Sequence, residues 1–180
     1  MKTISTSKKI FFLILILFSI SYSSFAQSDS TQMKKPCACC LEEYKQFDFW
    51  EGDWTVYDTT GTEVGKNTIV KLEDNCILNE HWRGAGGTTG RSYNYYNKAD
   101  STWNQLWLDN NGGNLVLKGK LKKEGVMVLR SKLLEGKKGK YYHQITWTKN
   151  DDDSVTQRWD INTENDKTVN TVFIGIYKKE

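Results

Sequence analysis

Past Trp54 the chain is interrupted about every ten residues by a short cluster of turn-forming residues. These clusters are Thr60-Gly61, Asp74-Asn75, Gly84-Ala85-Gly86-Gly87, Lys98-Ala99-Asp100, Asp109-Asn110-Asn111-Gly112-Gly113, Glu124-Gly125, Gly136 with Gly139, Asn150-Asp151-Asp152-Asp153 and Asn162 with Asp166. Gly, Asn and Asp tolerate the left-handed backbone that tight hairpins need, so each cluster predicts a reversal of direction. The segments between them, 54–59, 63–73, 77–83, 91–96, 102–108, 114–121, 126–134, 141–148, 155–161 and 168–177, are too short for helices and rich in β-branched and aromatic residues. About ten strands joined by hairpins describe an antiparallel meander. An open sheet of that size exposes two unpaired edges, and closing it on itself removes them. The sequence therefore predicts an all-β fold, an antiparallel up-and-down β-barrel. An open two-sheet sandwich is the alternative. One short helix, 41–47, is expected just before the first strand.

The N-terminus has a different character. Lys2, Lys8 and Lys9 flank an apolar run at 10–20, and Ser24-Phe25-Ala26 follows. A basic start, a short apolar run and small residues at the cleavage positions read as a secretory signal peptide, residues 1–26, cut before Gln27. The run falls well short of the ~20 residues needed to span a bilayer. A lipid anchor is not expected either, because the first cysteine, Cys37, follows Lys34-Lys35-Pro36 rather than an apolar stretch. Residues 27–40 read as a flexible, cysteine-containing leader and 41–180 as the barrel domain. The exported chain is expected in the periplasm or outside the cell.

Export also changes the charge. The whole chain has 25 basic and 22 acidic residues, and the signal peptide takes away three lysines and no acids. The remainder is neutral, so no nucleic-acid partner is expected. The lysines scattered over 118–140 alternate with strand residues and read as a solvated face.

Alternation within the strands points to a site. Glu80-x-Trp82, Gln105-x-Trp107 and Gln157-x-Trp159 each place an amide or acid two positions before a tryptophan, and Trp103 and Asp109 extend the second pair. Ser92-x-Asn94-x-Tyr96 is of similar kind. Residues two apart share a strand face. A packed core built only for stability would avoid these polar groups, because each costs a few kcal/mol if left unpaired. Either they brace one another across a filled barrel or they line a partly wet cavity. A barrel wider than eight strands has room for a guest, and indoles with carboxamides suit an amphiphilic one. Glu80, Trp82, Asn94, Gln105, Trp107 and Trp159 are the candidate cavity wall.

The ordered set Phe47-Asp48-Phe49-Trp50-x-Gly52-x-Trp54, then Cys76, Glu80-x-Trp82 and Trp103-x-Gln105-x-Trp107-x-Asp109, resembles the lipocalin and calycin superfamily, and more narrowly an uncharacterised family of exported lipocalin-like bacterial proteins. The resemblance covers nearly the whole exported chain. It implies that Gly52 opens the first strand, that Trp54 plugs one end of the barrel, and that a late arginine, Arg158 or Arg130, stacks on that indole. It brings no established activity. The distant nitrobindin-like branch binds haem through a histidine near its C-terminus. This chain ends Phe173-Ile174-Gly175-Ile176-Tyr177 with none, and its two histidines are His81 and His143. No haem or other cofactor is expected.

Cys37, Cys39, Cys40 and Cys76 are the disulfide candidates, as four cysteines in an exported chain suggest. A bridge from the first three to Cys76 would close a loop of almost 40 residues, worth up to ~3–4 kcal/mol, with the partner left open. A thiolate site for Cu(I) or Zn is the competing reading, although the spacing fits no zinc signature. Glu80, Asp109 and His143 are the only acid–base candidates for a calycin-type isomerase, cyclase or hydrolase, and no nucleophile elbow, paired-carboxylate motif or phosphate loop accompanies them. The sequence thus points to non-catalytic binding of a small amphiphilic or hydrophobic molecule in the lumen. A filled barrel acting as an envelope interaction module is the other alternative. Oligomeric state and ligand identity are not encoded in any motif.

Overall fold

The computed structural model describes residues 37–180. The proposed signal peptide and the first part of the leader lie outside the described residues. Eleven antiparallel strands follow one another: β1 (Gly52–Tyr57), β2 (Glu63–Leu72), β3 (Ile77–Gly84), β4 (Thr89–Asn97), β5 (Thr102–Asp109), β6 (Asn114–Lys123), β7 (Val126–Arg130), β8 (Leu134–Gly136), β9 (Gly139–Lys149), β10 (Val155–Thr163) and β11 (Thr168–Lys179). Ten of them close into a barrel. Strands β1 to β7 pair in sequence, β7 pairs with β9, β9 with β10, β10 with β11, and β11 returns to β1 with Trp54 opposite Lys179 and Tyr57 opposite Ile176. Closure leaves none of the ten barrel strands at an outer edge, which disposes of the sandwich alternative.

The hairpin rhythm predicts these strands to within a few residues, with one exception. The segment 126–134 is not continuous. It breaks at Ser131–Leu133 into β7 and the short outlying β8, both lying along the same edge of β9. Ser131 causes the break: its Oγ bonds the backbone, accepting from the His143 N–H and donating to the Lys132 carbonyl, in place of ladder pairing. Because β6 pairs with β7 only from Lys118 onward, a cleft opens in the wall between Asn114–Lys118 and Arg130–Leu134.

The short helix is replaced by two 3-10 turns, Glu42–Tyr44 and Asp48–Trp50, each closed by i→i+3 backbone bonds. An α-helix of under about 12 residues is marginal alone, and here neither turn has a side-chain N-cap. Packing decides instead, because the tighter turns drop Phe47 and Trp50 into the barrel, where both are fully buried.

These rings form the closed end. Phe47 stacks on Trp50 at 5.2 Å and meets Trp103 and Trp147 edge-on, while Trp50 reaches Trp147 at 5.3 Å. Trp54 donates its Nε1–H to the Trp50 carbonyl at 3.0 Å and lies edge-on to Tyr177. Gly52 starts β1 at φ +140°, a backbone that side chains rarely adopt, and so lets the chain turn from the plug into the wall. The cation over Trp54 is neither expected arginine. It is Lys179, whose Nζ sits 5.4 Å from the ring, because β11 runs beside β1 at this end. Arg158 instead binds Asp160 and Thr171 on the outside, and Arg130 covers Tyr142.

Two disulfides tie down the N-terminal stretch: Cys39–Cys76, spanning 37 residues, and Cys37–Cys40. With every cysteine oxidised, the thiolate metal reading falls. Cys76 follows three successive left-handed residues, Glu73, Asp74 and Asn75, so the longer bridge clamps the one turn whose backbone is least favourable.

Candidate functional site

Above the plug the barrel is hollow. A cavity of about 300 Å³ is walled by β3, β5, β6, β9, β10 and β11, at the lower end of the size typical of small-ligand sites. Strand alternation carries the three tryptophan pairs inward together. Glu80 and Trp82 come from β3, Gln105 and Trp107 from β5, and Gln157 and Trp159 from β10, all facing this space. Asn94 shares the inward face opposite Gln105 but is fully buried and does not line the cavity; it braces Gln105.

The polar residues form one connected network. Gln105 Nε2 donates to Asn94 Oδ1 (2.8 Å), Asn94 Nδ2 donates to Ser92 Oγ (2.9 Å), and Ser92 Oγ donates to Glu80 Oε2 (2.7 Å). Asn67 of β2 donates to the other carboxylate oxygen, Oε1, at 2.7 Å. Tyr177 of β11 donates to Gln157 Oε1. Two of these donors, Ser92 and Asn67, converge on the Glu80 carboxylate at the cavity floor. Burial pushes the Glu80 carboxyl above its ordinary range, partly offset by the Ser92 and Asn67 bonds. Burial, reinforced by the nearby Glu80 charge, holds the Tyr177 hydroxyl well above its usual value, so it stays protonated.

The acid–base trio is not assembled. Asp109 reaches the cavity, but its Oδ1 accepts the backbone N–H groups of Asn111 and Gly113, and these bonds hold its carboxyl below the usual range. It braces the β5–β6 turn. His143 is absent from the cavity wall; its Nδ1 accepts the Trp159 Nε1–H at 3.0 Å, and burial lowers its pKa. No hydrogen bond joins any two of Glu80, Asp109 and His143 among the described residues. His81 faces outward, its Nδ1 within 3.1 Å of Arg83. Among the described residues, no group of three or more His, Cys, Asp or Glu is placed to hold a metal.

Several contributors escape the pattern in the sequence. Asn67 and Tyr177 complete the network, and Phe173 adds a fourth ring, edge-on to Trp82 at 6.1 Å. Three strand glycines seat the rings. A Cβ on Gly65 would come within 2.6 Å of the Trp82 ring, one on Gly175 within 2.6 Å of Phe173, and one on Gly90 would collide with Trp107. Each ring thus lies against bare backbone, and its position on the wall is set before any guest arrives. The signal was present, since a glycine inside a strand marks a close approach, but nothing local says which ring approaches it.

No helix among the described residues is long and apolar enough to cross a membrane. Compared with known proteins, the chain matches no family model and no curated protein significantly.

Proposed function

We propose that this chain is an exported, lipocalin-like binding protein that holds a small amphiphilic or hydrophobic molecule in its lumen and does no chemistry on it. The observation that carries the reading is the cavity itself: Trp82, Trp107, Trp159 and Phe173 form an apolar wall over a floor of Glu80, Gln105 and Gln157. A mostly apolar pocket with a few convergent polar groups is the usual form of a small-ligand site. The lipocalin likeness rests on the closed antiparallel barrel and on Gly52-x-Trp54, with Trp54 buried at the closed end. Export through cleavage of residues 1–26 rests on the signal-peptide pattern and is supported by two disulfides, which persist in oxidising compartments. Residues 27–40 then serve as the cysteine-containing leader.

Native mass spectrometry of protein purified from its producing cells tests the reading. A small molecule retained by the folded protein and released on unfolding is expected. A clean apo mass, together with no change in tryptophan fluorescence across a panel of lipids and aromatic amphiphiles, overturns it.

A second reading is favoured by one outer surface. Tyr93, Leu106 and Val116 lie directly opposite one another across β4, β5 and β6, all exposed, with Tyr95 and Leu108 beside them. A contiguous apolar patch of this kind suits an interaction module. A Leu106→Lys change that altered partner capture while leaving lumen binding intact would favour that role.

A further inference from the structure

We propose that the lumen selects a guest with a cationic, ammonium-type head, held against Glu80 and boxed by the indoles. The inference rests on the lumen-binding reading above and names the ligand class for that site. It starts from charge. Among the described residues, Glu80 and Asp109 are the charged ones lining the cavity, and no Lys or Arg does so. The Glu80 side chain is only 5% exposed, yet it faces the lumen. Buried carboxylates are ordinarily matched by a cation or a metal. Among the described residues Glu80 forms no salt bridge; its partners are the neutral Asn67 and Ser92.

The network is arranged around Glu80 as an acceptor. Ser92 Oγ accepts from Asn94 Nδ2, so its own proton goes to Glu80 Oε2. Asn67 Nδ2 supplies Oε1. Both carboxylate oxygens accept, and the chain of amide dipoles from Gln105 through Asn94 points its positive ends at them. Each carboxylate oxygen can accept a further bond, so an ammonium in the cavity would find acceptor capacity left over.

The rest of the wall suits the same head. Trp82, Trp107, Trp159 and Phe173 surround the space in front of Glu80. Aromatic faces attract cations and repel anions through the ring quadrupole, tryptophan most strongly. The glycine seats hold three of those four rings in place, so the box need not assemble on binding. Titratable groups facing Glu80 from the neighbouring strands are Tyr177 on β11 and Asp109 on β5; β2, β4 and β10 present the uncharged Asn67, Ser92 and Gln157.

Three probes of equal body and different head test it: 4-phenylbutylamine, 4-phenylbutanol and 4-phenylbutyrate, titrated into the full-length exported protein by tryptophan fluorescence and calorimetry. At pH 7.5 the amine is expected to bind at least about tenfold tighter than the alcohol, and the acid more weakly than either. The amine-to-alcohol ratio should shrink as pH falls and Glu80 takes up a proton. Glu80→Gln should bring that ratio close to one at every pH, chiefly by weakening the amine, which separates Glu80 from any response of His143 near Trp159. The pH series on the unaltered protein keeps the test alive if the variant fails to fold. Equal binding of amine and alcohol, or tightest binding of the acid, overturns the cationic head and leaves lumen binding standing. Loss of the preference in Asp109→Asn and not in Glu80→Gln overturns the assignment to Glu80. Binding of none of the three overturns both readings.

Discussion

The seven tryptophans divide into two groups that differ in depth and surroundings, although one strand, β5, contributes to both. Trp50, Trp54, Trp103 and Trp147 sit at the closed end, none more than 3% exposed, interlocked with Phe47 and Tyr177. Trp82, Trp107 and Trp159 are half-buried and face an empty space. Trp103 and Trp107 even belong to the same face of β5, four residues apart. Depth along the barrel separates them, and so does what lies opposite: the 3-10 turns fill the lumen beside Trp103 and stop short of Trp107. In the plug, packing is so tight that Trp50 and Trp147 keep their indole N–H groups without a partner. In the cavity, Trp107 and Trp159 have polar partners at hand, Asp109 and His143. One end is therefore built for stability, and the other retains polar groups and empty volume that stability alone would not favour.

Truncation at the two ends should reveal the contrast most sharply. Trp54→Ala removes a fully buried ring and one hydrogen bond and should cost about 3–5 kcal/mol in urea unfolding. Trp107→Ala should cost roughly half as much, because its ring is already partly exposed, yet it should abolish the fluorescence response to lumen probes. Equal stability losses would erase the distinction.

The disulfides come next. Replacing Cys39 and Cys76 with Ser should lower stability by up to ~3–4 kcal/mol, since that bridge closes the long loop. The same change at Cys37 and Cys40 should do clearly less, because only three positions separate them. Thermal melts of the two double variants measure the ordering.

Gly90→Ala sharpens the cavity side of the comparison. The added methyl meets the Trp107 ring and the Leu108 carbonyl, and overpacking of this sort costs about 1–3 kcal/mol. Probe affinity should fall with it. A variant that binds as before would show that Trp107 is free to move and that the seat is not a constraint.

The smallest effect has the opposite sign. Burial raises the Glu80 carboxyl above its ordinary 4.5, so the folded state holds that proton more tightly than the unfolded chain does. The stability this adds is complete below the unfolded value and is lost as pH rises through the folded one. Glu80→Gln removes the charge but keeps the shape, so at pH 7.5 it should be as stable as the parent or more so, by about 1 kcal/mol. The gap should narrow at pH 4.5. A strongly destabilised variant at pH 7.5 would mean that the carboxylate holds the barrel together.

Much of this division can be read from residues, and some cannot. The pairs Glu80-x-Trp82, Gln105-x-Trp107 and Gln157-x-Trp159 are legible because strand alternation is local, and each pair does face inward. Asn94 was expected on the wall; it faces inward opposite Gln105 but does not line the cavity, because its amide is taken up by Gln105, Ser92 and the Leu78 carbonyl. Lys179 rather than an arginine covers Trp54 for a similar reason: closure sets β11 beside β1, and no local pattern encodes which cation arrives there. Asn67 and Tyr177 are 110 residues apart in the chain and meet only through that closure.

By itself, the sequence determined all but one of the barrel strands, their turns and the face most side chains take, because hairpin chemistry and two-residue alternation act over a few neighbours at a time. Only the tertiary structure decided that the lumen is filled at one end and hollow at the other, which cysteines pair, and which rings rest on which glycines. Those outcomes depend on contacts between strands far apart in sequence, and they exist only once the last strand has returned to the first.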